Sequence, residues 1–68
     1  MRTNLKLLRV KHNMTQDEFA ETVGVSRTTY AGVEQGNNNG TRRFWENVQN
    51  EYGIQDSAMW ELMKNYET

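Results

Sequence analysis

The stretch from residue 15 to residue 36 constrains the fold more than any other part of the chain. Thr15 is followed three residues later by Glu18, and this capping-box pattern marks the N-terminus of a helix. Apolar residues then recur at helical spacing on one face, at Phe19, Ala20 and Val23. Gly24 suits the left-handed conformation that often ends a helix, so the stretch predicts a short helix that stops there.

A second short helix should follow directly. Ser26 is a good N-cap and Gly36 a good terminator, which places this helix between Arg27 and about Gln35. Val25 is apolar and can fill the corner between the two helices. Two helices joined by a short glycine-containing turn form a helix-turn-helix unit, whose second helix can enter a DNA major groove.

Three further helices are expected, at residues 3 or 4 to about 12, 42 to about 52, and 57 to about 66. Thr41 and Asp56 are the predicted N-caps of the last two. The fifth helix should bury one side, made of Ala58, Met59, Leu62 and Tyr66. In the first helix, Leu7 and Val10 lie off the main apolar stripe and should be partly covered. The pattern therefore predicts an all-α chain of five short helices.

The 68 residues are enough for one domain, residues 1–68, but few for a self-sufficient core. The sequence holds no cysteine, so helix packing rather than disulfides has to stabilise it. No apolar run approaches the ~20 residues of a membrane span or the ~7–15 of a signal-peptide core. We therefore expect a soluble, cytoplasmic chain.

Charge is distributed unevenly, although the net charge is only −1. Residues 1–43 carry seven Lys and Arg against four Asp and Glu, a net charge of +3. Residues 44–68, the acidic segment, carry one against five, a net charge of −4. We interpret this as a side that faces DNA and a side that avoids it, the alternative being ordinary solvated surface.

Residues 4–54 resemble the Cro/repressor-type, XRE-like helix-turn-helix family of bacterial and phage regulators. The family spacing is kept at six positions, Gln16, Ala20, Gly24, Ser26, Glu34 and Gly36. The resemblance implies a five-helix, lambda-repressor-like DNA-binding domain with the helix-turn-helix at helices 2 and 3. Phe44-Trp45 and residues 59–64 resemble the tail of short lytic-side regulators of temperate phages of Gram-positive bacteria, which implies a bacterial host cytoplasm.

The start of the recognition helix, residues 26–35, carries three candidate base-reading residues, Arg27, Thr28 and Thr29. Arginine can bond both acceptors of a guanine, and threonine can bond a base or touch a thymine methyl. The resemblance implies contacts to the DNA backbone from Gln16, Ser26, Asn37, Asn38, Asn39, Thr41, Arg42 and Arg43. The alternative for these residues is a set of ordinary caps and a solvated loop.

Two residues within the recognition helix depart from the family pattern. Gly32 stands where relatives often read a base, so either the backbone approaches DNA closely or specificity lies in the first turn. Tyr30 replaces an aliphatic residue, and we place it in the core rather than at a phosphate. The resemblance also implies a structural salt bridge between Arg9 and Glu34, which would join the first helix to the third.

Trp60 and Met63 lie away from the expected buried side of the fifth helix and form a possible protein interface. The alternative is a Trp60 that lies back against the fourth helix. The partner would be a second copy, as a homodimer on a two-fold operator, or the opposing phage repressor in a hetero-complex.

These features favour a sequence-specific transcriptional regulator, a Cro-like repressor of a phage switch with a double-stranded DNA operator as its partner. The alternative is a protein-interaction module, an antirepressor or antitoxin-like protein that binds a repressor or a toxin. An enzyme is not expected, because the single histidine has no ligand companions and no carboxylates are paired. We expect no cofactor, no metal, no small-molecule substrate and no membrane partner.

Overall fold

The structure is a computed structural model that describes residues 1–66. It contains five helices: α1 (Thr3–Lys11), α2 (Gln16–Thr22), α3 (Arg27–Gln35), α4 (Arg42–Tyr52) and α5 (Asp56–Met63). No strand occurs within the described residues, so the predicted all-α, five-helix architecture is confirmed. Glu67, which the charge count of the acidic segment includes, lies outside these residues.

Local signals set the ends of α2 and α3. The Thr15 hydroxyl accepts a hydrogen bond from the Glu18 amide at 3.1 Å, and the Thr15 amide donates to the Glu18 carboxylate at 2.8 Å. Ser26 caps α3 by accepting from the Thr29 amide at 3.2 Å. Gly36 ends α3 with a φ of +92°, in the left-handed region that glycine adopts without strain. The predicted caps of both helices are therefore confirmed.

All five helices and the turn after α2 contribute to one buried core, made of Leu5, Phe19, Ala20, Val23, Tyr30, Val33, Phe44, Trp45, Val48 and Leu62. The Phe19 ring stacks on Tyr52 with centroids 4.8 Å apart and tilts against Tyr30 at 4.9 Å. Tyr30 is fully buried, so its predicted place in the core is confirmed. Burying the middle of α3 in this way leaves the first turn of that helix exposed.

One face of α1 stays uncovered. Leu7 and Val10 are 57% and 49% exposed, so the prediction that they are partly covered is wrong. α1 packs mainly against α3 and α5, and Leu5 is the residue that it buries completely. A helix with its partners on one side cannot bury an apolar residue on the other.

α5 differs from its predicted bounds at both ends. Its N-cap is Gln55, which makes no side-chain capping bond, so the prediction that Asp56 caps the helix is wrong. The Asp56 carboxylate instead accepts a hydrogen bond from the Gln49 amide group of α4. The helix ends at Met63 because the next residue adopts an extended backbone.

The shorter α5 also changes which of its residues are buried. Leu62 is buried and Met59 is half-buried, as predicted. Ala58 and Tyr66 are exposed, so their predicted burial is wrong. Tyr66 lies beyond the helix, and its amide donates to the carbonyl of Met1 at 2.9 Å, which directs the chain along the N-terminus instead.

Candidate nucleic-acid interface

The first turn of α3 presents the three predicted base-reading residues to solvent. Arg27, Thr28 and Thr29 are all exposed. The Thr29 hydroxyl accepts a hydrogen bond from the Ser26 hydroxyl at 3.0 Å, so both side chains take part in capping the helix. Within residues 1–66, Arg27 has no ion-pair partner and Thr28 makes no side-chain hydrogen bond. All the side-chain polar groups of Arg27 and Thr28 are therefore available for contact with a ligand, and the Thr29 hydroxyl keeps its O–H donor.

Gln16, at the start of α2, is half-buried and points partly inward. Its Nε2 atom donates to Glu34 Oε1 at 3.3 Å. A side-chain amide carries two N–H donors, so one of them remains for a second acceptor. This hydrogen bond fixes Gln16 relative to Glu34, near the end of α3.

The segment after α3 is exposed at every position proposed for backbone contact: Asn37, Asn38, Asn39, Thr41, Arg42 and Arg43. Two of these side chains serve the local structure, since Asn38 Oδ1 accepts from the Gly40 amide at 2.9 Å and the Thr41 hydroxyl caps α4. Arg42 lies 3.5 Å from Glu46, an exposed i,i+4 pair that contributes little to stability.

Gly32 lies under the loop that follows α3. Its carbonyl accepts hydrogen bonds from the amides of Gly36, Asn37 and Asn38, at 3.1, 2.9 and 3.1 Å. A Cβ on Gly32 would lie 3.4 Å from Asn38 Cβ, which is ordinary van der Waals contact, so the loop packs directly on this turn of α3 without requiring a glycine there. The packing of the loop does not account for the lack of a base-reading side chain at this position.

The salt bridge predicted between Arg9 and Glu34 is present. Arg9 Nε lies 2.9 Å from Glu34 Oε2, and Arg9 Nη2 lies 3.2 Å from Glu34 Oε1. Arg9 also donates to the carbonyl of Met14 at 2.9 Å, and Glu34 is only 2% exposed. This bidentate pair therefore joins α1, the turn before α2 and α3.

The charge of Glu34 follows from these contacts. Burial raises the pKa of its carboxyl, but the hydrogen bonds from Arg9 and Gln16 and the proximity of the Tyr30 hydroxyl outweigh burial, and the pKa is lowered overall. Burial raises the pKa of Tyr30 strongly, with the neighbouring Glu34 carboxylate adding to the effect. Among the described residues, the Tyr30 hydroxyl has no hydrogen-bond partner, so it is a buried polar group without compensation.

Arg2 is the main feature that the sequence did not reveal. It is 5% exposed, and its guanidinium donates to the carbonyls of Val33, Asn38 and Met63 at 2.7, 2.8 and 2.9 Å. An arginine two residues into a sequence resembles a surface charge, because arginine is seldom fully buried. No pattern in the sequence distinguishes this one from its exposed neighbours.

The burial of Arg2 lowers the positive charge that residues 1–43 present at the surface. Arg2 is enclosed and Arg9 is paired with Glu34, so two of the seven cations in residues 1–43 are not available to a ligand. The exposed arginines of the candidate interface are Arg27, Arg42 and Arg43. The positive charge that this surface presents is smaller than the sequence count suggests.

The predicted protein interface on α5 is solvent-accessible. Trp60 is 61% exposed, so the alternative in which it lies back against α4 is wrong. Met63 is also exposed and borders a groove of about 460 Å³ between α4 and α5, together with Trp45 and Met59. Arg42 belongs to the same groove, which therefore adjoins the segment proposed for DNA-backbone contacts.

Two other kinds of site can be assessed for residues 1–66. These residues contain no group of three or more His, Cys, Asp and Glu side chains arranged to hold a metal ion. None of the five helices is both long enough and apolar enough to span a membrane.

Just over half of the chain matches a known protein family. Residues 5–40 match the sequence profile of the Helix-turn-helix family. This segment begins at the buried Leu5 of α1, contains α2 and α3, and ends in the loop after α3. It therefore includes the candidate interface as far as Gly40.

Similar proteins occur among archaeal regulators. An uncharacterized HTH-type transcriptional regulator of Archaeoglobus fulgidus is 51% identical over 39 residues, which are 57% of this chain and 55% of that protein. One of Methanocaldococcus jannaschii is 44% identical over 36 residues, 53% of this chain and 54% of that protein. The chain therefore spans little more than half the length of these relatives. No solved structure matches it significantly.

Proposed function

Because the chain belongs to the Helix-turn-helix family, we propose that it is a sequence-specific DNA-binding transcriptional regulator. The observation that carries this proposal is the exposed first turn of α3, where Arg27 and Thr28 stand without partners among residues 1–66. The N-terminal turn of a recognition helix is the part that reaches base edges in the major groove. Arg27 would bond a guanine, and Thr28 a base or a thymine methyl.

Thr29 and the remaining residues would have supporting roles. The Thr29 hydroxyl accepts a hydrogen bond in the helix cap, which leaves its O–H donor for a base and its methyl group for contact with a thymine. Gln16, Asn37, Asn39 and Arg43 would bond phosphates, with Ser26, Asn38, Thr41 and Arg42 beside them. Phosphate contacts fix the register of a protein on DNA but do not read its sequence. The proposed activity is binding alone, without a catalytic step or a cofactor.

The proposal is tested by measuring affinity for DNA fragments from the protein's own genomic region over a range of salt concentrations. Arg27→Ala should lose about 1–3 kcal/mol of binding to the preferred fragment, because one bidentate base contact disappears. Arg43→Ala should weaken all fragments alike and reduce the salt slope by about 1. Lys6→Ala is the control, since it removes a cation that we do not assign to DNA.

Two outcomes would contradict the proposal or part of it. If wild-type protein binds no fragment at low salt, where phosphate contacts are strongest, then α3 is not a DNA reader. If Arg27→Ala weakens every fragment to the same extent, then Arg27 contacts phosphate and the base-reading role is wrong.

The exposed Trp60 favours a protein partner in addition to DNA. A second copy is the partner that a two-fold operator requires, and an opposing repressor is the other candidate. Sedimentation of the wild-type protein and of Trp60→Ser, each alone and with that repressor, separates these two cases. If the wild-type protein sediments as a monomer both alone and with that repressor, the proposed protein interface on α5 is wrong.

The resemblance of the tail to short phage regulators supports a narrower role. The protein would act in the cytoplasm of a bacterial host as a Cro-like repressor in a lysis–lysogeny switch. A promoter reporter with and without the opposing repressor tests this role. Repression by the protein alone supports direct operator binding, whereas an effect that requires the second protein supports an antirepressor.

A further inference from the structure

Arg2 is a buried charge that has no carboxylate within ion-pair distance among residues 1–66. Burial lowers the pKa of Arg2, but a guanidinium keeps its charge in proteins. Removing such a group from water is unfavourable unless hydrogen bonds replace the lost water. The acceptors of those hydrogen bonds therefore indicate which parts of the molecule this residue holds together.

The Arg2 guanidinium bonds main-chain carbonyls from three separate segments. Nη1 donates to Val33, in the last turn of α3, at 2.7 Å and to Asn38, in the following loop, at 2.8 Å. Nε donates to Met63, at the end of α5, at 2.9 Å. We propose that Arg2 is a positioning residue that holds the loop of residues 36–40 against α3, and so holds the DNA-backbone contacts in their binding geometry. This inference rests on the proposed DNA-binding function.

The loop of residues 36–40 is anchored through its main chain. Besides the Arg2 bond to Asn38, Trp45 Nε1 donates to the carbonyl of Asn39 at 3.0 Å, and the Arg2 guanidinium lies 5.6 Å from the Trp45 ring centroid. Within residues 1–66, the side chains of Asn37 and Asn39 make no hydrogen bonds, and both are exposed. A loop held by its backbone loses less conformational entropy when its side chains bind a ligand.

The end of α5 belongs to the same arrangement. Asn65 Nδ2 donates to the carbonyl of Gly36 at 3.2 Å, and a Cβ on Gly36 would lie only 2.8 Å from Asn65 Cγ. The segment after α5 thus fits closely over the end of α3, next to the carbonyl of Met63 that Arg2 holds. The main chain of the loop therefore lies against α3, α4 and the C-terminal segment, while its asparagine side chains are exposed. Arg2 is the side chain that bonds α3 and the C-terminal segment to the loop.

A purely structural role for Arg2 predicts a different result from a positioning role. If Arg2 stabilises the whole fold and nothing more, its loss should increase opening of the core and of the loop together. If it positions the loop, exchange should increase in the loop at temperatures where the core stays closed. The amides of Asn37 and Asn38, which donate to Gly32, report on the loop, and those of Phe19 and Val33 report on the core.

The first experiment needs no DNA. Amide hydrogen exchange is compared for wild type, Arg2→Met, Arg2→Lys and the exposed control Lys6→Met. Arg2→Met keeps an apolar stem beside Trp45, so we expect exchange about tenfold faster or more at Asn37 and Asn38, with the core amides changed much less. Arg2→Lys keeps the positive charge but lacks the branched guanidinium, so we expect an increase in exchange between those of wild type and Arg2→Met. If Arg2→Met does not fold, Arg2→Lys decides the question by the same amides.

The second experiment uses the preferred DNA fragment. Arg2→Met should reduce affinity more than Lys6→Met does, although each removes one positive charge and Arg2 itself is too buried to touch a phosphate. The salt slopes of the two variants should be alike, because the side chains of the loop are uncharged asparagines. Combined with Arg43→Ala, the loss should be smaller than the product of the two single losses, because both act on one set of contacts. Lys6→Met should combine with Arg43→Ala without this non-additivity.

Two results would overturn the positioning role of Arg2. One is equal exchange in wild type and both Arg2 variants, or a loss of protection shared evenly by core and loop. The other is an Arg2→Met protein that binds DNA no more weakly than Lys6→Met does. If the wild type binds no DNA, the proposed function fails, while the exchange data still decide whether Arg2 anchors the loop.

Discussion

The two-helix unit of residues 15–36 and the C-terminal residues 54–66 are held in different ways. In the unit, Thr15 and Ser26 cap the helices within three residues, and Gly36 ends α3 in a left-handed conformation. α5 has no side-chain cap, and apart from Gln49 its hydrogen-bond partners are distant in sequence: Asn4 donates to the Glu61 carbonyl at 3.0 Å, and Arg2 donates to Met63. The unit is specified locally, whereas the C-terminal segment depends on contacts across the whole chain.

The largest effect should come from breaking the link between the unit and α1. Arg9→Ala leaves the Glu34 carboxylate buried without its ion partner, and losing one member of a buried pair costs about 3–5 kcal/mol. Urea unfolding measures the loss. Arg42→Ala is the matched control, because its pair with Glu46 is exposed and should contribute nothing measurable. Equal stability of the two variants would show that the Arg9–Glu34 pair does not secure the unit.

Acid should weaken the same link in the wild-type protein. The pKa of Glu34 is lowered in the folded state, so its contribution to stability is complete above the unfolded value of about 4.3 and is lost as the pH falls through the folded value. The free energy of unfolding, measured by urea titration between pH 7 and pH 3, should therefore decline at the acid end. The free energy of unfolding of Glu34→Gln should fall less over this pH range. If it falls as steeply as in wild type, Glu34 is not the group responsible for the acid sensitivity.

The difference between the two regions in capping should appear as a difference in stability. Thr15→Ala removes a capping box and should destabilise the protein by about 1 kcal/mol. Asp56→Ala removes a residue that does not cap α5 and loses only an exposed hydrogen bond with Gln49, so its effect should be smaller. Chemical denaturation of both variants tests the order, and a larger loss for Asp56→Ala would reverse the comparison.

The smallest effect concerns a group inside the unit. The Tyr30 hydroxyl is buried without a hydrogen-bond partner among residues 1–66, so Tyr30→Phe removes an uncompensated polar atom and keeps the ring. We expect a variant that is as stable as wild type or slightly more stable. Thermal unfolding provides the measurement. A destabilisation of 1 kcal/mol or more would mean that the hydroxyl is satisfied by solvent or by the Arg9–Glu34 pair.

The unit could be predicted from the sequence because its signals are short-range. The capping box at Thr15, the cap at Ser26 and the glycine at residue 36 each act within a few residues of the helix end that they specify. The exposed first turn with Arg27 and Thr28 follows from the same pattern, since burying the middle of α3 leaves its start outside. Spacing alone is enough for such features.

The C-terminal region could not be predicted as well. After α5 ends at Met63, the chain runs extended and Tyr66 pairs with Met1, which is distant in sequence. The exposure of Leu7 depends on which helices pack against α1, and helical periodicity does not contain that information. Errors in the predicted bounds and burial therefore lie at α1 and α5, outside the unit.

The sequence by itself determined five helices, the position of the helix-turn-helix unit and the residues at the start of α3. Caps, glycines and apolar spacing specify these features, and each acts over less than two helical turns. Only the tertiary structure decided that Arg2 is enclosed, that the loop after α3 packs on Gly32 and that Trp60 is exposed. The reason is that burial depends on which parts of the chain pack against a residue. For these three residues, those parts lie in other segments of the chain or are absent, and only the tertiary fold decides which.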